Sequence, residues 1–511
     1  MPDSGQKVDA IQKAIGSFGK YQFFLCFLMF LVKFPVAFHQ MAIIFLAPKT
    51  DYVCLDNDLQ NSCPCSNPEY DKSIFTNTII MEWDLICENK WLSSFTQTLF
   101  QLGTLIGSVV FGMASDRYGR KNPLLAAVVL QLVMGLVASF VPEFWSFTFV
   151  RFLIGASVGG TMVTSFVIIM ESVGSQYRHV ISALYQVPFN TGHLLLPVFG
   201  YFIRSYDKFQ LAITIPNIVL LSFFFLVTDT PRWLIAMKRT DEAVKIIEKA
   251  AKMNNLPTEN LAQKIGVYQK EIEKHNLKKG SILDLFRTPN LRKNILAMSF
   301  NWLTCSYCFY GVSQYVGQLG GNVFVNVAAS ASVTILGTLC SIPMMKVMGR
   351  RTILIVFNFI CAGVLIILSV LPPGSWSVVC ACVGVVSSFV VFVVVYLHCT
   401  ELFPTVVRNA AIGFSSMMAR VGSMVAPFVV GLGDTSPVWA ALTFAVLPLC
   451  AGFVSILLPE TKGIELMTTL EEGENFGKKT KNVVQKKARL GYELLYQMDG
   501  RYYVFDMTFM P

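Results

Sequence analysis

The sequence predicts an all-α membrane protein of twelve transmembrane helices arranged in two six-helix, pseudo-symmetric halves. Three observations carry that prediction. The 511-residue chain is 54% hydrophobic and only 14% charged, against roughly a quarter charged in soluble proteins, so its solvent is largely lipid. Apolar runs of about 20 residues, the length that crosses a hydrocarbon core of about 30 Å, recur along the chain. A set of residues also returns at one constant offset of 230 positions. Gly119, Arg120 and Lys121 recur as Gly349, Arg350 and Arg351, Glu171 and Arg178 as Glu401 and Arg408, and Gly192 and Pro197 as Gly422 and Pro427. A repeat of that length made of apolar runs is an internal duplication of a six-span unit.

The net charge of +9 does not mark a nucleic-acid binder. No basic stripe lies on a recognition fold, and the Lys and Arg residues sit in short loops between apolar runs, where they set topology. Residues 1–20 are polar and the first apolar run is too long for a signal h-region, so no cleavable leader is expected. Cys54, Cys63, Cys65 and Cys87 share one hydrophilic loop, whereas the other nine cysteines lie in apolar runs and read as small hydrophobes. The loop cysteines predict two disulfides in an oxidising space, with three pairings open. Zinc at Cys63-Pro-Cys65 is disfavoured because no His or further Cys pair stands at zinc spacing, and neither a metal nor a cofactor is expected.

In chain order, residues 1–20 form an N-terminal segment and span 1 covers about 21–47. The cysteine loop follows at 48–92. Spans 2 to 6 fall near 93–114, 122–141, 144–170, 179–203 and 208–228. Arg117, Arg120 and Lys121 after span 2, and the Lys-rich stretch 229–292, put those segments on the cytoplasmic side and the cysteine loop outside. The stretch 229–292 carries Val244, Ile246, Ile247 and Ala250 at helical spacing after Thr240 and Asp241 as a cap, predicting short amphipathic linker helices that underlie the bundle, with a partner-docking face as the alternative. Spans 7 to 12 fall near 293–317, 321–348, 351–371, 375–400, 409–434 and 436–458. The tail 459–511 carries a basic cluster at Lys478, Lys479, Lys481, Lys486, Lys487 and Arg489 suited to anionic lipid. Its Tyr- and Phe-rich end, 490–511, reads as outside the fold. The halves are thus 21–228 and 293–458, both termini are cytoplasmic, and the membrane is the plasma membrane.

An ionisable side chain within a span costs about 2.5 to 3.5 kcal/mol on insertion scales and needs a cavity or a partner. The candidates are Lys33, His39, Arg151, His193 and Arg420. Arg151 reads equally as an ion-paired or snorkelling residue, His39 as structural, and His193 as site or packing. Trp302, Tyr307, Phe309 and Tyr310 crowd span 7. Trp302 and Phe309, two turns apart, fall near one face with Tyr310, and such faces attract ammonium groups by about 0.5 to 2 kcal/mol.

Two six-span halves with Gly112-Met-Ala-Ser-Asp116-Arg117-Tyr-Gly119-Arg120-Lys121 after span 2 resemble the major facilitator superfamily, whose central site lies between the halves. Glu82-Trp83-Asp84-Leu85 with Cys87, Pro231-Arg232-Trp233-Leu234, Glu401-Leu402-Phe403-Pro404-Thr405 with Arg408, and Pro459-Glu460-Thr461 narrow the resemblance to the organic cation, anion and carnitine transporter family, across roughly residues 15–475. The resemblance implies a carrier of a small organic ion in the lipid bilayer, with room for a coupling ion. It makes Asp116, Arg117, Arg120, Glu171, Arg178, Arg350, Arg351, Glu401 and Arg408 an inner gate whose opposite charges bridge the two halves. It places Phe309 and Tyr310 in the cavity wall.

The chain also departs from the family. Lys346 stands where the repeat would place a second Asp116, the loop has four cysteines rather than six, no Asn-x-Ser/Thr sequon occurs, and Asp229-Thr230-Pro231 replaces Glu-Ser-Pro. Arg420 falls by the offset opposite Asn190. Cation carriers of the family have Asp at that place and anion and carnitine carriers have Arg, so the expected substrate is an anion or a carnitine-like or β-amino-acid-like zwitterion. It would be bound by Arg420, Asn190, His193, Lys33, Trp302, Phe309 and Tyr310. Cys382, near a second basic position of some anion carriers, disfavours a dicarboxylate. An organic cation carrier and a non-transporting membrane receptor or scaffold are the alternatives. An enzyme is excluded because the spans hold no carboxylate or His cluster at catalytic spacing.

Overall fold

A computed structural model describes residues 10–56, 59–174, 176–274, 282–372, 374–433, 436–463, 467, 469–477, 494–498 and 501–505. Twelve spans in two sixes are present. Ten helices among the described residues are long and apolar enough to cross a membrane, beginning with Lys20–Leu46, Cys87–Tyr118, Lys121–Ala138 and Phe144–Ser172. Span 6 is Tyr206–Leu226, and spans 8 to 12 are Val323–Val347, Arg350–Val370, Ser375–Leu402, Thr405–Leu432 and Pro437–Ser455. The remaining two differ for local reasons. Span 5 is split into Arg178–Leu184 and Val187–Phe202, because Pro188 lacks an N–H and its ring opposes the carbonyl four residues back. Span 7, Pro289–Tyr315, is long enough but dilutes its apolar run with Asn290, Arg292, Lys293, Asn294, Asn301 and Gln314.

Spans 2 and 4 pack through four glycines. A Cβ on Gly103 or Gly107 would lie 2.1 Å from the Phe152 carbonyl oxygen or 1.9 Å from that of Ala156, and one on Gly155 or Gly159 would lie 2.1 Å from the oxygen of Phe100 or Thr104. Backbones meet where side chains normally stand, as small-residue interfaces in lipid require. The second half has Val333, Gly337, Val385 and Phe389 at the corresponding places, so this contact was not kept after duplication. Gly107→Val and Gly159→Val are each expected to destabilise the detergent-purified protein by at least about 3 kcal/mol, read as a lowered unfolding midpoint, since the clashing atoms are backbone. Gly363→Ala, which meets open space, is the control and loses nothing.

The halves touch on two sides. Ser94 Oγ donates to the Pro427 carbonyl at 2.9 Å and Thr98 Oγ1 to that of Met424 at 2.8 Å, joining span 2 to span 11. Asn190 Nδ2 donates to Thr338 Oγ1 at 3.2 Å, joining span 5 to span 8.

The cysteine loop folds as a three-stranded antiparallel sheet of Tyr52–Cys54, Leu59–Gln60 and Pro68–Tyr70, with Tyr52–Cys54 central. Its disulfides pair Cys54 with Cys65 and Cys63 with Cys87, so these sulfurs offer no thiolate to a metal. Trp83 of the loop packs its ring on Phe144, Phe147 and Tyr206 and donates Nε1 to the Pro142 carbonyl at 3.0 Å, which fixes the loop on spans 4 and 6.

At the other end the linker forms Pro231–Ala236, Thr240–Met253, Leu261–Lys274 and Asp284–Arg287. The expected cap fails: Arg239 holds the cap position, and the Thr240 hydroxyl bonds Gln269 instead. The buried face is Ala243, Ile247, Ala250 and Ala251, with Val244 and Ile246 only partly covered. Ile11 and Ile15 of the N-terminal helix Ala10–Ile15 fill that face together with Trp233, Leu261 and Ile265. That buried face of the linker is therefore covered by the chain itself, while Met237, Val267 and Leu283 remain exposed. The basic cluster at 478–489 lies outside the described residues. Within 490–511, Leu494–Met498 and Arg501–Phe505 pair as antiparallel strands.

Candidate functional site

Two matching charge clusters form at the linker end. In the first half Gly119, at φ 98°, ends span 2 and turns the chain so that the Arg120 and Lys121 N–H groups both donate to Asp229 Oδ1, at 2.7 and 2.9 Å. The Arg120 guanidinium then binds Glu171 and Asp116, each at 2.7 Å, and Ser115. The Thr230 hydroxyl donates to Glu171, and Arg232 Nε donates to its carbonyl at 2.9 Å. In the second half Glu460 accepts from the Arg350 and Arg351 N–H groups at 2.8 and 3.1 Å, Arg350 pairs with Glu401 at 3.0 Å, and Thr461 donates to Glu401 at 2.6 Å. Arg178 Nε donates to the Val173 carbonyl and Arg408 Nε to that of Phe403, both at 3.2 Å.

These bonds differ from the expected latch between halves. The ion pairs Arg120–Asp116, Arg120–Glu171 and Arg350–Glu401 each close within one half, because the duplicated unit brought its own arginine, glutamate and capping carboxylate. Lys346 is exposed, and Arg350 uses the Met345 carbonyl where Arg120 has Asp116. Arg117 points outward over the Tyr118 ring, and Arg351 Nη2 donates to the Ile456 carbonyl at 2.7 Å.

Two of the intramembrane cations, Arg420 and Lys33, lie between the halves. Arg420 is 7% exposed on span 11, with Nη2 3.9 Å from Met162 Sδ of span 4 and the guanidinium near the Tyr310 hydroxyl. Lys33 is fully buried with Nζ 4.0 Å above the Tyr185 ring and 5.8 Å from Phe189. Aromatic rings complete the walls. Tyr396 meets Trp302 edge to face at 4.2 Å and reaches Phe166 of the first half at 6.2 Å, while Phe309 meets Tyr310, Phe389 and, across the halves, Phe189. Among the described residues no carboxylate forms an ion pair with Arg420 or Lys33. The arrangement is two buried positive groups in an aromatic box built by both halves.

Not every expected residue joins it. Asn190 spends its amide on Thr338, and His193 makes no hydrogen bond among the described residues. Tyr307 turns to span 12, donating to the Thr443 carbonyl at 3.3 Å and packing on Phe444. Arg151 does not snorkel and forms no ion pair among the described residues: it is fully buried, donates Nη2 to Gln97 Oε1 at 2.7 Å and lies over the Phe100 ring at 4.8 Å. Residue-by-residue reading missed Tyr185, Phe166, Phe189, Phe389 and Tyr396. Tyr185 carried a signal, since it stands at the break that Pro188 imposes on span 5.

A cavity of about 410 Å³ opens between the halves at the cysteine-loop end, walled by Ile43, Ser94, Gln97, Gln314, Gln318 and Pro427 among others.

The fold overlays the inward-open xylose transporter XylE from E. coli with a TM-score of 0.67 over 89% of this chain and 99% of that one, at 18% identity, a likeness of fold alone. Residues 52–472 match the family described as Sugar (and other) transporter. An organic cation transporter protein of Drosophila melanogaster is 35% identical over 525 residues, spanning 92% of this chain and 95% of the relative. The chain belongs to the organic cation transporter family, within the major facilitator superfamily. Other relatives of this organic cation transporter family member include solute carrier family 22 member 3 of Mus musculus, 34% identical over 78% of this chain and 72% of its own. A beta-alanine transporter of Drosophila melanogaster is 31% identical over 83% and 71%. The protein is a multi-pass membrane transporter and not an enzyme.

Proposed function

We propose that this transporter carries a small organic anion or zwitterion, with a carnitine-like or β-amino-acid-like molecule fitting best, and moves it by alternating access between the halves. The observation that carries the reading is the pair Arg420 and Lys33, both buried and neither ion-paired to a carboxylate among the described residues. A guanidinium fork offers a carboxylate two parallel charge-assisted bonds, and the charge left exposed to lipid otherwise is costly. Trp302, Phe309, Tyr310, Tyr185 and Tyr396 supply ring faces for an ammonium or an apolar body. A zwitterion uses both features at once.

The names of several relatives, and the ring faces themselves, favour a second reading as an organic cation carrier. Against it stands charge repulsion. A cation held about 4 Å from either Lys33 or Arg420 meets about 4 kcal/mol of opposition at an effective dielectric near 20, more than a ring face returns.

The proposed setting is the plasma membrane, with the disulfide loop outside, the Lys-rich linker and both termini in the cytoplasm. Uptake into transfected cells of labelled carnitine, β-alanine, tetraethylammonium and a dicarboxylate separates the readings. Carboxylate uptake without tetraethylammonium uptake is expected, the reverse overturns the anion reading, and no uptake of any class favours a non-transporting receptor.

A further inference from the structure

A second set of buried polar groups lies in the first half, away from Arg420. Arg151 stands seven residues into span 4 from Phe144, about 10 Å below the loop end, whereas Arg420 is twelve residues from the loop end of span 11, about 18 Å deep. Arg151 is fully buried, and only Nη2 has a partner, Gln97 Oε1; Nε and Nη1 have none among the described residues. Gln97 is tied through its Nε2 to the Gln40 carbonyl at 3.4 Å, and Gln40 Nε2 donates to Gln101 Oε1 at 3.0 Å. That bond leaves the Gln101 amide nitrogen without an acceptor.

His39, the neighbour of Gln40, lies close enough to Arg151 to feel its charge. Its Nδ1 faces the Gln210 amide nitrogen at 3.5 Å. The other ring nitrogen, Nε2, has no partner among the described residues. The positively charged surplus in this set is Arg151 Nε and Nη1, with the Gln101 Nε2 amide as a further unpartnered donor and the His39 Nε2 nitrogen also unpartnered. Gln40 Oε1 and Gln210 Oε1 are the unpartnered acceptors, and both are neutral. No carboxylate pairs with the guanidinium, and a buried cation with open N–H groups is an anion's partner.

We infer that Arg151, together with Gln101, one helical turn from its partner Gln97 on span 2, holds one small monovalent inorganic anion of the chloride class, separate from the organic substrate. The inference is independent of which organic ion is carried. Gln97 both binds Arg151 and walls the cavity at the loop end, which gives the anion its way in. A bulky organic carboxylate is a poorer occupant, because Gln97 holds one arm of the fully buried guanidinium and Phe100 covers one of its faces.

The test uses the full-length protein in detergent, with chloride titrated against gluconate at constant ionic strength and the unfolding midpoint as readout. A saturable rise of the midpoint with chloride is expected for the wild type and for Arg420→Gln, and its loss for Arg151→Gln. Because Arg151→Gln also removes a buried side chain that packs on Phe100 and bonds Gln97, Gln101→Leu provides the second variant. Its half-saturating chloride concentration should rise about tenfold, the value of one hydrogen bond to a charged group. Absence of any chloride effect in the wild type, retention of the full effect in Arg151→Gln, an unchanged half-saturation in Gln101→Leu, or loss of the effect in Arg420→Gln alone each overturns the site.

Discussion

Replacing Arg420 with glutamine is expected to lower uptake of a carboxylate-bearing substrate about 100-fold while leaving the amount of protein at the cell surface near wild type. The size follows from the loss of a charge-assisted fork, about 3 kcal/mol at the upper end for a hydrogen-bonded charge, at about 1.4 kcal/mol per factor of ten. Glutamine keeps a donor toward Tyr310 and fills most of the volume, and it relieves the repulsion between Arg420 and Lys33, so the fold should not suffer. Arg420→Lys keeps the charge without the fork and should fall between the two. Lys33→Gln is expected to cost less than Arg420→Gln, because Nζ rests over the Tyr185 ring and presents a single charge rather than a matched pair of donors. Kinetics of labelled carnitine or β-alanine uptake, normalised to surface-biotinylated protein, check the series. Full uptake by Arg420→Gln removes this residue from the substrate site.

Much of the architecture was legible because lipid imposes a coarse rule. Ten of the spans announce themselves as long apolar helices; span 5, which breaks beside Pro188, falls on span 11 at the 230-residue offset, whereas span 7, whose polar residues interrupt its run, lies outside that offset from span 1 and is legible only from its remaining apolar stretch. Lys33 and Arg420 were visible for the complementary reason, since a charge in a span stands out against its background. Tyr396 was not, because an aromatic residue in a run such as Phe389 to Val395 looks like any lipid-facing or packing side chain. Arg151 was visible, but its environment depends on Gln97, Gln40 and Gln101, which come from two other spans and have no sequence pattern linking them. The charge clusters show a different kind of misreading. The spacing of 51 residues between Arg120 and Glu171 recurs between Arg350 and Glu401. A spacing conserved within each copy points to a partner within that copy, and the contacts follow it.

That distinction changes what a charge reversal does at the linker end. Glu171→Lys is expected to destabilise the first half itself, whereas Asp116→Lys is expected to behave almost as wild type, although both carboxylates bind the same arginine. The Glu171 side chain is 19% exposed, takes both Nε and Nη2 of Arg120 and accepts the Thr230 hydroxyl. Removing one partner of a buried pair costs about 3 to 5 kcal/mol, and its partial exposure sets the value toward the lower end. The Asp116 side chain is 80% exposed, and an exposed pair one helical turn apart contributes about 0.3 to 0.5 kcal/mol. The unfolding midpoint of detergent-purified protein should therefore fall clearly for Glu171→Lys and for its counterpart Glu401→Lys, and surface expression should fall with it. A double variant, Arg120→Glu with Glu171→Arg, should recover part of the midpoint, because the two residues act as one coupled pair. If Glu171→Lys instead keeps the wild-type midpoint and loses only transport, the cluster serves the motion between halves rather than the integrity of one, and the pairing within each half is not its main role.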